Sequence, residues 1–309
     1  MELKANKERM KQRIDRIASY TSEPGRITRL TFSDAWVQAV GYVRSEMESM
    51  GMTVRMDTFG NLIGNYNPGN STEKPIGIGS HIDSVVNAGA YDGVAGIVVG
   101  LELISMLHEN HIIPKYPIEV LATADEEGAI CQKGYFGGRF MTGNLSAEEC
   151  KQFRNIDGKN IEDLQRECPL FEGITFGTDD GWAKDYYQRF YEVHVEQGGV
   201  MEAAGKDIGI VKGVVGIGRL FIDFFGESDH AGPTVMSVRK DAMVAASDFI
   251  LKAWEVGQAH NGKAVTTVAR IQNSPNIHNV IAGKTSIGFD FRAEDDELAI
   301  AIKDELKEY

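Results

Sequence analysis

Apolar and polar positions follow two periods along this chain. Between residues 33 and 50 the apolar residues Trp36, Val37, Val40, Val43, Met47 and Met50 recur at helical spacing, and Ser33-Asp34 supplies a start signal. Residues 52–56 alternate as a strand does. A second strand is expected over 61–66, closed by the turn Asn67-Pro68-Gly69-Asn70. Residues 75–80 make a short, glycine-rich apolar run suited to a buried strand, 93–108 an apolar helix, and 118–124 a fully buried strand. Residues 191–198 read as one more strand ending in a turn. Helix and strand in alternation imply a mostly parallel sheet covered by helices. In such sheets ligands bind beyond the carboxyl ends of the strands.

The pattern changes near residue 210. Residues 209–218 are rich in glycine and β-branched residues, as expected of a hinge leading into a strand. A strand over 219–225, a helix over 237–256, strands over 264–272 and 284–291, and a helix beginning near Glu294 follow. This β-α-β-β-α order resembles the start of a ferredoxin-like α/β sandwich. The expected domains are therefore 1–210 and 211–309.

Bulk properties narrow the function classes. A chain of 309 residues has two domains as its natural prior, and 42% hydrophobic with 25% charged residues leaves ample material for a core. Lys and Arg number 32 and Asp and Glu 45, so the formal charge is 32 − 45 = −13. That surplus argues against nucleic acid or an anionic membrane as partner. No apolar run approaches the length of a membrane span. Residues 1–20 read as a charged amphipathic helix without the apolar core of a signal peptide. Cys131, Cys150 and Cys168 form no metal-type pair, which suits a reducing cytoplasm.

Candidate chemistry gathers at three places. In Gly79-Ser-His-Ile-Asp, His81 and Asp83 point to the same side of a strand end, and Asp83 suits the carboxylate that receives a ligating histidine's other ring N–H. Asp92, just ahead of a helix, offers two oxygens; a helix N-cap explains it equally well on its own. Asp125-Glu126-Glu127 follows the buried strand, where adjacent carboxylates repel one another unless a cation neutralises them. One glutamate then ligates while its neighbour takes a proton from the attacking water, although an acidic helix start explains this segment when taken alone. His194 and Glu196 share one face of the third strand. A lone strand histidine is more often a packed core residue; what favours a ligand is three strand ends delivering imidazole or carboxylate to one sheet edge. Nitrogen and carboxylate donors without cysteine suit zinc, manganese, cobalt or nickel.

Taken in order, GSHIDSVVNAGAYDG, TADEEG, HVEQG, SDHAGPTVMSVRKDA and HNVIAG make the chain similar to the amidase/hydantoinase/carbamoylase branch of the zinc exopeptidase superfamily. The resemblance implies a mostly parallel-sheet zinc-exopeptidase catalytic domain and a smaller ferredoxin-like α/β lid and dimerisation domain. It implies two divalent metal ions, with His81 and His194 on one, Glu127 on the other and Asp92 bridging. Glu126 would be the general base and Asp83 would orient His81. Gln197, Asn279 and Arg292 would bind substrate, and His230 would stabilise the oxyanion. The expected activity is hydrolysis of a ureido or carbamoyl C–N bond in an N-carbamoyl-L-amino acid or allantoate, releasing ammonia and carbon dioxide. The partners implied are that small molecule and a second copy, in a homodimer formed through residues 211–309. The sequence departs from relatives at Ala88-Gly89-Ala90 and at Pro233-Thr234-Val235. No histidine follows His278 to complete the Glu127 metal, so a chain truncated at its C-terminus, with weak activity, is expected. An aminoacylase or dipeptidase of the same superfamily, or a silent homologue that only binds or dimerises, are the rival readings.

Overall fold

The structure, a computed structural model, describes residues 3–130, 133–155, 157–177, 182 and 184–309; Cys131 lies outside the described residues. The chain divides into two compact units, Met1–Gly199 and Val200–Tyr309. Among the described residues no helix is long and apolar enough to cross a membrane.

The first unit opens with α1 (Lys7–Ala18), capped by the Asn6 side chain, which accepts Arg9 N. In α2 (Asp34–Ser49) the Ser33 side chain accepts Trp36 N, and Trp36, Ala39, Val40, Val43 and Met47 are buried, as the spacing requires. The following strands are β1 (Thr53–Met56), β2 (Leu62–Tyr66) and β3 (Ile76–His81). After them come α3 (Val94–Glu109), β4 (Ile118–Thr123), the short helices α4 (Phe136–Met141), α5 (Ala147–Cys150) and α6 (Ile161–Glu167), and β5 (Arg189–Tyr191). The sheet order is β1-β2-β4-β3-β5. Around β3 the pairing is parallel, Ile76↔Ile118 through His81↔Thr123 with β4 and Ile76↔Arg189 through Ile78↔Tyr191 with β5. β2 adds antiparallel to β4, and β1 to β2. Trp36, Phe59, Leu62, Ile97, Leu101, Val120 and Phe136 form the core between this sheet and its helices. Buried Arg13 ties α1 to its neighbours through Glu46 (2.7 Å) and Glu102 (3.3 Å).

β5 is shorter than the alternation predicts. It ends at Tyr191, and His194 lies in irregular chain beyond it. At that point the side chains take over from the ladder: Ser80 Oγ donates to Glu192 Oε1 at 2.5 Å. Gly96 then lets α3 approach the main chain of Val193, where a Cβ would meet the Val193 carbonyl at 2.5 Å.

The second unit holds α7 (Val200–Ala203), β6 (Gly216–Phe225), α8 (Ala242–Ala259), β7 (Ala264–Ser274), β8 (Lys284–Ala293) and α9 (Asp296–Glu308). Its sheet is antiparallel throughout, in the order β6-β8-β7. Ala246, Phe249 and Val256 of α8 and Ile302 and Leu306 of α9 bury Ile287, Phe289 and Phe291 of β8. The helix expected over 237–256 starts later, at Ala242. Arg239 donates to the carbonyls of Ala231 (2.6 Å) and Thr234 (3.0 Å), which holds the preceding residues in a loop. Asp241 then caps the helix by accepting Met243 N. Residues 208–215 lie in no regular element, and Ile208, Ile210, Val211 and Val214 are exposed.

Candidate metal centre

Parallel β3 and β4 end together, so His81 and the segment after Thr123 emerge at one sheet edge. His81 is buried there, and α3 begins directly against it. Only glycine fits at 93: φ is +65°, and a Cβ would meet the His81 carbonyl at 2.3 Å. That approach delivers Asp92 to the imidazole, with Oδ1 3.6 Å from His81 Nε2 and 3.1 Å from His194 Nε2.

Both imidazoles are oriented through Nδ1. His81 Nδ1 lies 3.1 Å from the Asp83 carbonyl, and His194 Nδ1 lies 2.9 Å from the Val195 carbonyl. A carbonyl only accepts, so each Nδ1 carries the proton and each Nε2 presents its lone pair. The two Nε2 atoms face each other at 3.4 Å. The expectation that the Asp83 carboxylate orients His81 is corrected in one respect. Its Oδ1 is 3.8 Å from His81 Nδ1, beyond hydrogen-bond range, and the Asp83 carbonyl takes that role. The carboxylate instead accepts Glu126 N and Glu127 N at 3.2 Å each.

Glu126 and Glu127 complete the cluster. Glu126 Oε2 is 3.8 Å from His81 Nε2. His81, Asp92 and His194, and likewise His81, Glu126 and Glu127, bring one donor atom each within 4.8 Å of one another. Asp92 Oδ1 and Glu127 Oε1 are buried without a hydrogen-bond donor. Burial pushes the carboxyls of Glu126 and Glu127 up, and neighbouring carboxylates add to it while His81 opposes. Burial alone lowers His81, but Asp83, Glu126 and Glu127 outweigh it and raise its pKa. Two facing lone pairs and two orphaned carboxylate oxygens call for positive charge between them. The donor set fits a divalent cation of the zinc or manganese type.

Gln197, expected to meet substrate, donates from Nε2 to Asp92 Oδ2 at 2.7 Å. It does so from a left-handed backbone, φ +59°. In the second unit His230 and Asn279 come together: Ala231 N donates to the Asn279 carbonyl (2.9 Å) and Ile281 N to the Asp229 carbonyl (2.8 Å). Gly232 N donates to His230 Nδ1 at 3.0 Å, which leaves the ring proton on Nε2, facing outward as a donor. Arg292 is not brought to this pair. It sits near the far end of β8, its Nε on Asp290 Oδ1 (3.1 Å), while Asn279 precedes the Lys284 end. At about 3.4 Å per residue that separation along the strand is roughly 27 Å.

Sequence reasoning missed the polar groups beneath the site. Asn61 is buried and accepts Ala124 N at 2.9 Å. Thr31 Oγ1 accepts Asp125 N at 3.0 Å, and Asp125 takes a left-handed φ of +52°. Their signal was faint: an Asn opening an expected strand and an Asp inside an acidic run carry no mark of these contacts.

Residues 77–308 match the model of peptidase family M20/M25/M40. Over 283 residues the chain is 32% identical to an allantoate amidohydrolase of Bacillus subtilis, covering 90% of this chain and 67% of that protein. Over 304 residues it is 34% identical to an N-carbamoyl-L-amino acid amidohydrolase of Geobacillus stearothermophilus, covering 97% and 71%. A solved hydantoinase/carbamoylase family amidase from Burkholderia ambifaria superposes with a TM-score of 0.88 at 28% identity, covering 99% of this chain and 74% of that one.

Proposed function

The chain belongs to peptidase family M20/M25/M40, and from that premise we propose that it is a metal-dependent amidohydrolase cleaving the C–N bond of a ureido or carbamoyl compound. The substrate is an N-carbamoyl-L-amino acid or allantoate, in keeping with the relatives' names. One observation carries the reading: buried, donor-less Asp92 Oδ1 and Glu127 Oε1 converge with two imidazole Nε2 atoms at one sheet edge.

Two divalent ions, of zinc, manganese, cobalt or nickel, would be held by His81, His194, Asp92 and Glu127. When bound they supply Lewis acidity to water and to the substrate carbonyl. The protein's own groups do the rest. Glu126, its carboxyl pushed up by burial, accepts the proton of the attacking water and returns it to the departing nitrogen. Water oxygen bonds to the carbonyl carbon as the C–N bond breaks, and the carbamate so formed decomposes to carbon dioxide and amine. His230, its proton fixed on Nε2, donates to the developing oxyanion. Arg292 and Asn279 bind the rest of the substrate, with the Arg292 fork on its carboxylate. Gln197 orients Asp92 and lines the same site.

Because Asn279 and Arg292 stand near opposite ends of one rigid strand, both reach a single small substrate only when two protomers contribute. We therefore assign a homodimer formed through residues 211–309. The charge of −13 favours neither nucleic acid nor an anionic membrane as a further partner, and the buried Cys150 and Cys168 suit the cytoplasm. The test of the base is Glu126→Gln. Turnover should fall by about 10²–10⁴-fold with metal content unchanged; loss of metal with the activity would refute the assignment.

A further inference from the structure

We infer that Asn61 is a positioning residue that holds the Glu126 and Glu127 carboxylates in place from beneath, an inference that rests on the metal-hydrolase reading of those carboxylates. Asn61 is fully buried immediately before β2, away from the cluster itself. Its side chain touches both stems of the segment that carries the two glutamates. Oδ1 accepts Ala124 N at 2.9 Å on one side, and Nδ2 donates to the Gly137 carbonyl at 3.2 Å on the other. The stems are also laced to each other, Gly137 N to the Ala124 carbonyl, Phe136 N to the Asp125 carbonyl and Tyr135 N to the Glu126 carbonyl.

Asp57 fixes which way the amide faces. Its Oδ1 accepts the main-chain N–H groups of Phe59, Gly60 and Asn61, and its Oδ2 accepts Asn61 Nδ2 at 2.7 Å. A carboxylate and a carbonyl only accept, and Ala124 N only donates. One orientation of the Asn61 amide therefore satisfies all three, and the flipped one satisfies none. Gly137 completes the fit, because a Cβ there would meet Asn61 Oδ1 at 2.3 Å and the Ala124 carbonyl at 2.5 Å. From above, the Asp83 carboxylate holds Glu126 N and Glu127 N. The glutamates thus sit in a segment clamped on both sides, by Asp83 at the metal edge and by Asn61 at the core.

The experiment compares Asn61→Ala, Gly137→Ala and, as a control of similar core destabilisation, Ile17→Ala, which lies in α1 away from this segment. Two quantities are read on each full chain. One is amide hydrogen exchange of residues 124–130 and 133–137, and the other is affinity for Mn²⁺ by titration. Asn61→Ala and Gly137→Ala should speed exchange in these residues at least tenfold beyond Ile17→Ala. They should weaken Mn²⁺ binding by about 10–100-fold, as loss of a supporting partner of a ligand does, and lower kcat more than they raise KM. Exchange or Mn²⁺ affinity in Asn61→Ala equal to that of Ile17→Ala would overturn the inference. A wild-type chain that takes up no Mn²⁺ would instead contradict the metal reading, and the exchange comparison would still judge Asn61.

Discussion

At Asp83 the main chain and the side chain serve different partners. The carbonyl fixes the His81 tautomer, and the carboxylate spans the amides of Glu126 and Glu127. Asp83→Asn keeps the carbonyl but turns an NH₂ group toward an N–H donor. Metal affinity should fall about 10–100-fold, while nitrogen NMR of the His81 ring still reports a protonated Nδ1. Asp125 makes the opposite kind of case. It is fully buried, and burial first, then the charges of Asp83 and Glu126, raise its carboxyl well above the usual range. An acid raised on folding costs stability once ionised; its contribution is most favourable below its unfolded value and is lost as pH rises through the folded one. Asp125→Asn should therefore raise Tm in chelator at pH 7, with the gain shrinking toward zero as pH falls to about 4. An equal gain at both pH values would show that charge is not the cause.

At the scale of elements, two contacts decide where the candidate ligands stand. Gly93→Ala adds more than the roughly 1–2 kcal/mol of left-handed strain, since its Cβ would press on the His81 carbonyl. Thermal unfolding should reveal the loss, and metal content should fall with it. β5 is only three residues long, and Glu119 anchors the chain leading into it, accepting Asn65 Nδ2 (2.9 Å), Tyr186 OH (3.0 Å) and Tyr187 OH (2.8 Å). Glu119→Leu strands three donors and should cost about 3 kcal/mol in denaturant unfolding, with weaker metal binding because His194 follows that strand. The helices and most strands were legible from periodicity: Trp36, Val40 and Met47 mark α2, and the run at 118–124 marks β4. What periodicity does not encode is where side chains replace the ladder. Ser80 with Glu192 ends β5, and Arg239 reaches back to the Ala231 and Thr234 carbonyls in the chain ahead of α8.

For the whole molecule, the ordered motifs carried more than any single residue did. His81, Asp92, Glu127 and His194 are each ordinary alone, and only the shared sheet edge gives them a common purpose. The role of Asn61 stayed hidden because its partners across the core, Ala124 N and the Gly137 carbonyl, are main-chain groups distant in sequence, which no side-chain pattern records. The proposed two-protomer site makes its own prediction. His230→Ala and Arg292→Ala chains, each inactive, should recover up to about a quarter of wild-type activity when co-assembled at equal amounts, since random pairing rebuilds one intact site in half the dimers. No recovery would place each site within one protomer.

The most direct test is ammonia release from N-carbamoyl-L-amino acids and allantoate by the purified chain, before and after chelation and after Mn²⁺ or Zn²⁺ is restored. A metal-dependent hydrolase built on His81, Asp92, Glu127 and His194 should release ammonia, lose that activity on chelation, and regain it with the ion, while His81→Ala stays silent throughout. Ammonia release untouched by chelation, or none from a fully metal-loaded chain, would contradict it.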